Sequence, residues 1–212
     1  MQVERLEPGR TVLLFFDMLN GHVKKDDPAA QKRYKPVIRN AVSLLEAARN
    51  TGIIVAYAVA NHRPDNATTA NIIRDTDNRL RPIKNRPEKT KHSVVSGSWE
   101  AEVIDELKPR KVDYIIPKFR WNAFYQTYLD LALRNESIDT IVISGGSTDV
   151  GVASTVYAAR DMDYNIVVVS DACTSPEKDN HDQFMQRIFP RMARVRNTGQ
   201  IIDMLSGGKE EK

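Results

Sequence analysis

The sequence predicts an α/β fold, a three-layer α-β-α sandwich around a doubly wound, mainly parallel sheet of six strands. Three observations predict it. Apolar residues come in blocks of strand length: TVLLFFD (11–17), IIVAYAVA (53–60), VDYIIP (112–117), DTIVISG (139–145), NIVVVSD (165–171) and the weaker ARVRN (193–197). Most of these are continuous apolar runs without polar alternation, the pattern of strands buried on both faces of a parallel sheet. Segments of helical period separate them, so strand and helix alternate along the chain.

The helices follow in order. Over 36–50, Val37, Ala41, Leu44, Leu45 and Ala48 recur at spacings of three and four, Pro36 suits a first helical turn, and Gly52 supplies the stop. Segments 99–107, 122–134, 150–162, 180–190 and 199–205 carry the same period. The stretch 61–96 breaks the rhythm. It is polar, contains Pro64, Pro82 and Pro87, and holds eight basic against four acidic residues. A connection this long is a lid, a binding loop or an interface element, or else a solvated surface insertion.

With 212 residues, no repeat and no linker, the chain is expected to be a single domain over 1–212. A net charge of +3 is too mild to point to nucleic acid, and no nucleic-acid-binding or zinc pattern accompanies it. Cys173 is the only cysteine, so no internal disulfide forms. The opening MQVERLEPGR is polar, and the apolar runs fall far short of the ~20 residues that span a bilayer. The expectation is a cytoplasmic protein with a small-molecule substrate, without membrane or nucleic-acid partners.

In a doubly wound sheet, ligands bind beyond the carboxyl ends of the strands. Asp17 follows the first apolar run, behind Phe15 and Phe16. Burial of that kind suits a carboxyl to proton transfer, although an aspartate there also caps a turn. Lys118 follows VDYIIP and would orient substrate or pair with Asp17, or would be a surface lysine. Arg120 and Trp121 add a cation and an aromatic surface, and Phe124 adds a second ring that serves either substrate or core. After DTIVISG comes GGSTDVGVASTVYAARD (145–161), a glycine turn opening a helix lined with small residues. Such a turn presents backbone N–H groups to an anion or a developing oxyanion, or simply packs tightly. It is neither a Walker loop nor G-x-G-x-x-G.

LLFFDMLNGHV, PKFRWNAFYQTYLDLAL, SGGSTDVGVASTVYAARDMDYNIVVVSDA and FPRMARVRNTGQIIDML, in this order, resemble the isochorismatase-like (cysteine hydrolase) superfamily over nearly the whole chain. The resemblance places Asp17 on the family's catalytic aspartate and Lys118 on its catalytic lysine. The family's nucleophile block usually reads G-x-x-T-x-x-C-V. Gly145 to Thr148 align with it, and Gly151 stands at the cysteine position, where it would leave room for a substrate. Cys173 falls after the next strand and reads as a small buried hydrophobe.

The resemblance therefore implies a hydrolase that works without a thioester. Isochorismatases proper hydrolyse a vinyl ether, which asks for a general acid and a shaped cavity, not a thiolate. On this reading Asp17, Lys118 and Gly151 form the catalytic set. Ser147, Gly146, Val150, Arg120, Trp121, Phe124, Asn20 and His62 are the candidate substrate-binding residues. Metal-binding members carry a D-x-H pattern near strand two. This chain has ANHRPDN, so His62 lacks the preceding aspartate, and His22, His92 and His181 show no paired spacing. Neither metal nor cofactor is expected. The alternatives are amide, ureide or imide hydrolysis with Asp17 as general base, and an inactive ligand-binding member. The resemblance also implies a homodimer or homotetramer.

Overall fold

The computed structural model describes residues 5–74, 80–86 and 94–207. Six strands form one parallel sheet in the order β3-β2-β1-β4-β5-β6. They are β1 (Thr11–Phe16), β2 (Ile54–Ala60), β3 (Tyr114–Lys118), β4 (Thr140–Gly146), β5 (Asn165–Thr174) and β6 (Arg194–Arg196), each within an apolar block expected to be a strand or overlapping it. The helices are α1 (Asn20–Val23), α2 (Pro28–Thr51), α3 (Leu129–Asn135), α4 (Ala153–Asp161), α5 (Lys178–Gln183) and α6 (Thr198–Leu205).

The continuous apolar runs have a direct cause. All six residues of β1 are buried, and alternate ones serve opposite cores. Leu13 and Phe15 join Val55, Tyr57, Val37, Leu44 and Ile201 under α2 and α6. Val12, Leu14 and Phe16 join Ile116, Leu133, Ile143, Val156 and Phe189 under α3 and α4. Each fully buried side chain of this size contributes about 1.5–3 kcal/mol.

Several helices differ from the expected ones. Helix α2 begins eight residues earlier than expected, because Asp27 accepts from the N–H groups of Ala29 and Ala30 while Pro28 occupies the first turn. Pro36 lies inside this helix, not at its start. Segment 99–107 forms two short 3₁₀ turns, Trp99–Ala101 and Asp105–Leu107, instead of a helix. The helix expected over 122–134 starts only at Leu129.

Strand order reverses beside β1, so the switch point lies between the ends of β1 and β4. The chain brings Asp17 to one side of it and Gly145–Gly151 to the other.

Candidate active site

Asp17 directly follows β1 with φ of 50°, a left-handed turn that aspartate tolerates better than most residues. Its N–H donates to the Ala58 carbonyl at 2.9 Å, and its Oδ1 accepts from the Ala60 N–H at 2.9 Å. The carboxylate is thereby pinned to the end of β2. Its Oδ2 accepts from Nζ of Lys118 at 2.7 Å. Lys118 ends β3, in register with Ala60. The two side chains are only 4% (Lys118) and 12% (Asp17) exposed, so each charge depends on the other. The ammonium also lies 4.3 Å from the centroid of the Phe16 ring, a cation–π contact in a dry setting.

Across the switch point, Gly145 takes φ of 127°, and a β-carbon there would stand 2.1 Å from the Phe16 carbonyl oxygen. Only glycine lets β4 approach β1 this closely. The Gly146–Ser147 peptide bond is cis. Ser147 Oγ donates to the Asp149 carboxylate, as does Ser175 Oγ at 2.6 Å, and Asn180 Nδ2 donates to Oδ2 at 2.7 Å. Burial pushes the Asp149 carboxyl up, but these hydrogen bonds outweigh it and hold the group below the usual carboxylate value. Thr148 Oγ1 meets His181 Nδ1 at 2.9 Å, and burial lowers that imidazole below its ordinary value.

Gly151 is buried in the turn that opens α4, and the space beside it is filled. A β-carbon on Gly151 would stand 2.2 Å from Cε1 and 2.5 Å from Cζ of Phe16. The expected room at this position is occupied by the Phe16 ring, whose Cε1 and Cζ lie against Gly151 and on which Lys118 rests.

The remaining candidates divide. Gly146 packs against Tyr34, whose hydroxyl would be 2.5 Å from a β-carbon there. Val150 is half-buried in the same turn. Arg120 is exposed and donates to the Thr68 carbonyl at 2.9 Å, tying the 61–74 segment to the end of β3, and Trp121 beside it is 55% exposed. His62 is half-buried and bridges to Val95 just past β2. Phe124 and Asn20 are both buried. Phe124 stacks on Tyr164 in the core at 5.7 Å, and Asn20 donates from Nδ2 to the Trp99 carbonyl at 3.1 Å. Of the long basic stretch, residues 75–79 and 87–93, with Asp75, Asp77, Arg79, Glu88, Lys89, Lys91 and His92, lie outside the described residues.

Sequence reasoning missed three groups. Phe16 read only as core. Tyr34 precedes Val37 by three residues and shares its face of α2, so the Asp27-Pro28 start signal would have reached it. Its hydroxyl is pushed up to about 12, chiefly by burial and further by Asp17, and so stays protonated. His22 lies within electrostatic reach of both Asp17 and Lys118. Burial lowers it below its ordinary value, Lys118 and Lys25 lower it further, and Asp17 opposes them. No spacing in the sequence marks it. A shallow groove bordered by Arg49, Asp105 and Arg110 holds none of these groups.

A family model for the isochorismatase domain matches residues 11–200, from the first residue of β1 into α6. The chain belongs to the isochorismatase family. The isochorismatase family protein YwoC of Bacillus subtilis (strain 168) is 29% identical to it over 197 residues, covering 92% of this chain and 94% of that one. The ureidoacrylate amidohydrolase RutB of Acinetobacter baylyi is 31% identical over 177 residues, covering 80% and 72%. The solved structure of N-carbamoylsarcosine amidase from Thermoplasma acidophilum is similar with a TM-score of 0.69 at 28% identity, covering 89% of this chain and 96% of that one. The chain is an isochorismatase-family hydrolase with the α/β fold of its relatives. No helix among the described residues is long and apolar enough to cross a membrane.

Proposed function

We propose that this hydrolase acts on a small anionic substrate without a cysteine nucleophile, that Asp17 moves the proton, and that the reaction is vinyl-ether hydrolysis of the isochorismate type. The observation that carries the reading is the Phe16 ring, which lies where a nucleophile on residue 151 would project, beside the buried Asp17–Lys118 pair. Cys173 offers no substitute. It is 4% exposed, and burial pushes its thiol up to about 12, which leaves no thiolate to attack.

An anionic substrate that draws the Lys118 ammonium to its own carboxylate loosens the bond to Oδ2, and Asp17 takes up a proton instead. Asp17 gives that proton to the terminal methylene carbon of the enol ether. The π pair forms the new C–H bond, and the adjacent carbon becomes an oxocarbenium ion. Water adds to that carbon and returns a proton to Asp17. The hemiketal then breaks its C–O bond, giving a keto acid and an alcohol. Asp17 supplies the proton to the leaving oxygen and recovers one from the hemiketal hydroxyl, so the net reaction consumes one water. The basic 61–96 segment would attract such a substrate. Exposed Ile72, Ile73 and Leu80 in that segment are apolar surface that a homodimer or homotetramer would cover, which light scattering on the purified protein reads directly.

A second reading has water attack an amide or ureide, with Asp17 as general base. The ion pair to Lys118, which presents Asp17 as an acceptor, favours it, and so do the amidohydrolase and amidase among the relatives. Turnover of vinyl-ether dicarboxylates and of a ureide and amide panel by wild type and Asp17→Asn tests both. Turnover of the vinyl ether by wild type, slowed at least about 100-fold in Asp17→Asn, is expected. Turnover of ureides alone would move the assignment to the second reading. Inertness towards every substrate would replace catalysis with ligand binding.

A further inference from the structure

We propose that Phe16 closes this site to covalent catalysis: its ring and Gly151 are a complementary pair, in which the ring takes the volume of a nucleophilic side chain and residue 151 must be glycine to admit it. The inference rests on the cysteine-free reading above and supplies its structural cause.

Phe16 has little freedom to yield. Its backbone is held in register between Ala58 of β2 and Gly145 of β4. Its side chain is 1% exposed and belongs to the core beneath α3 and α4, with Ile143, Val152 and Val156. Any β-carbon at 151 would fall 2.2 Å from this ring, well inside contact distance. The ring cannot leave its core without opening a cavity, and the opening turn of α4 cannot retreat without losing its own packing. The same ring touches two groups that a thiolate mechanism needs together. Lys118 rests 4.3 Å from the centroid, and a β-carbon at residue 151 would meet Cε1 and Cζ of the same ring. A thiol at 151 would therefore be overpacked against the ring on which the Lys118 ammonium rests. Introducing cysteine alone should not convert this chain into a thiol-dependent amidase. Shrinking Phe16 at the same time should make residue 151 accessible.

The test is a double-mutant cycle that needs no substrate, so it stands or falls separately from the activity assay. Thermal unfolding is measured for wild type, Gly151→Ala, Phe16→Val and the double variant. Gly151→Ala should lower the midpoint by about 4–8 °C in the native background and by less than half of that beside Phe16→Val. In parallel, iodoacetamide alkylation is followed in Gly151→Cys with and without Phe16→Val. Cys173, buried and with its thiol pushed up, provides a silent background. The double variant should react at least about tenfold faster than Gly151→Cys alone. Adding Lys118→Met should shift the pH profile of that reaction upward, a change that packing alone would not produce. Equal alanine costs in both backgrounds would overturn the pairing. So would equal alkylation rates. If Gly151→Cys does not fold, the alanine cycle decides alone.

Discussion

Two buried aspartate–cation pairs hold opposite ends of the sheet, and they are built differently. At the amino end, Arg49 from the last turn of α2 reaches both oxygens of Asp113 just before β3, and the Arg110 N–H adds a third bond to Oδ2 at 2.7 Å. Their side chains are 14% and 2% exposed. The hydrogen bonds that Arg49 donates to Asp113 raise its guanidinium above the ordinary value, burial opposing. At the carboxyl end, Asp17 receives a single bond from the Lys118 ammonium and one from the Ala60 N–H. A planar fork on a carboxylate has one good geometry, whereas an ammonium is a point charge that can turn to a new partner. The first pair is suited to holding β3 against α2. The second is suited to exchanging a partner during a reaction.

Substitutions can break this comparison. The largest expected effect is on turnover. Asp17→Asn keeps the shape and the tolerance for a left-handed turn but cannot move a proton, so kcat in the folded protein should fall by about 10²–10⁴, far beyond anything explained by the stability lost when the Lys118 ammonium is left without its counter-charge. Asp113→Ala should do the reverse. It strands a buried guanidinium, so denaturant unfolding should read a loss of about 3 kcal/mol, with kcat and KM in the folded protein within about twofold of wild type. If both variants lost mainly stability, or both mainly activity, the distinction between the two ends would be wrong. Lys118→Arg sharpens it. A guanidinium keeps the charge but replaces a compact ammonium on the Phe16 face with a rigid fork, so kcat should drop by roughly tenfold even though the ion pair persists.

Much of this was legible in the sequence, because strands buried on both faces announce themselves as unbroken apolar runs. Asp17, Lys118 and the 145–151 turn were legible for a related reason, since polar residues directly after such runs mark the carboxyl edge of the sheet. The Asp17–Lys118 contact was open only as one of several options, because it depends on β1 and β3 both pairing with β2. What stayed hidden were properties of volume. Phe16 fits a strand pattern equally well whether its ring fills a core or a reaction site. Gly151 reads as vacant space unless one knows what faces it. Phe124 and Trp121 are equally aromatic in sequence, and only packing sends the first into the core and the second to the surface. The 99–107 segment kept a helical period without becoming a helix, because its apolar residues anchor a loop against α1 through the Leu19–Val103 bridge and the Asn20 bonds.

The smallest expected effect joins the site to the stability of the fold. His22 and His181 are both lowered in the folded chain, burial being the main cause for each. In the unfolded chain they titrate near 6.5. Between the folded value and 6.5 the unfolded state therefore binds more protons, and stability rises with pH. Their contribution is complete above about 6.5 and is lost as pH falls below it. The lowered carboxyls Asp139 and Asp149 act in a separate window, since their contribution holds above 3.8 and is lost only as pH falls through their folded values. Denaturant midpoints at pH 7.5, 6 and 5 should accordingly decline with acid before Asp139 and Asp149 titrate. His22→Gln should remove most of that slope, and His181→Asn, at the more exposed site, a smaller part. Asp17 is the group that favours charge on His22, so Asp17→Asn should steepen the slope, whereas Asp113→Ala at the far end of the sheet should leave it alone. An unchanged slope in Asp17→Asn would mean that His22 does not sense the carboxylate.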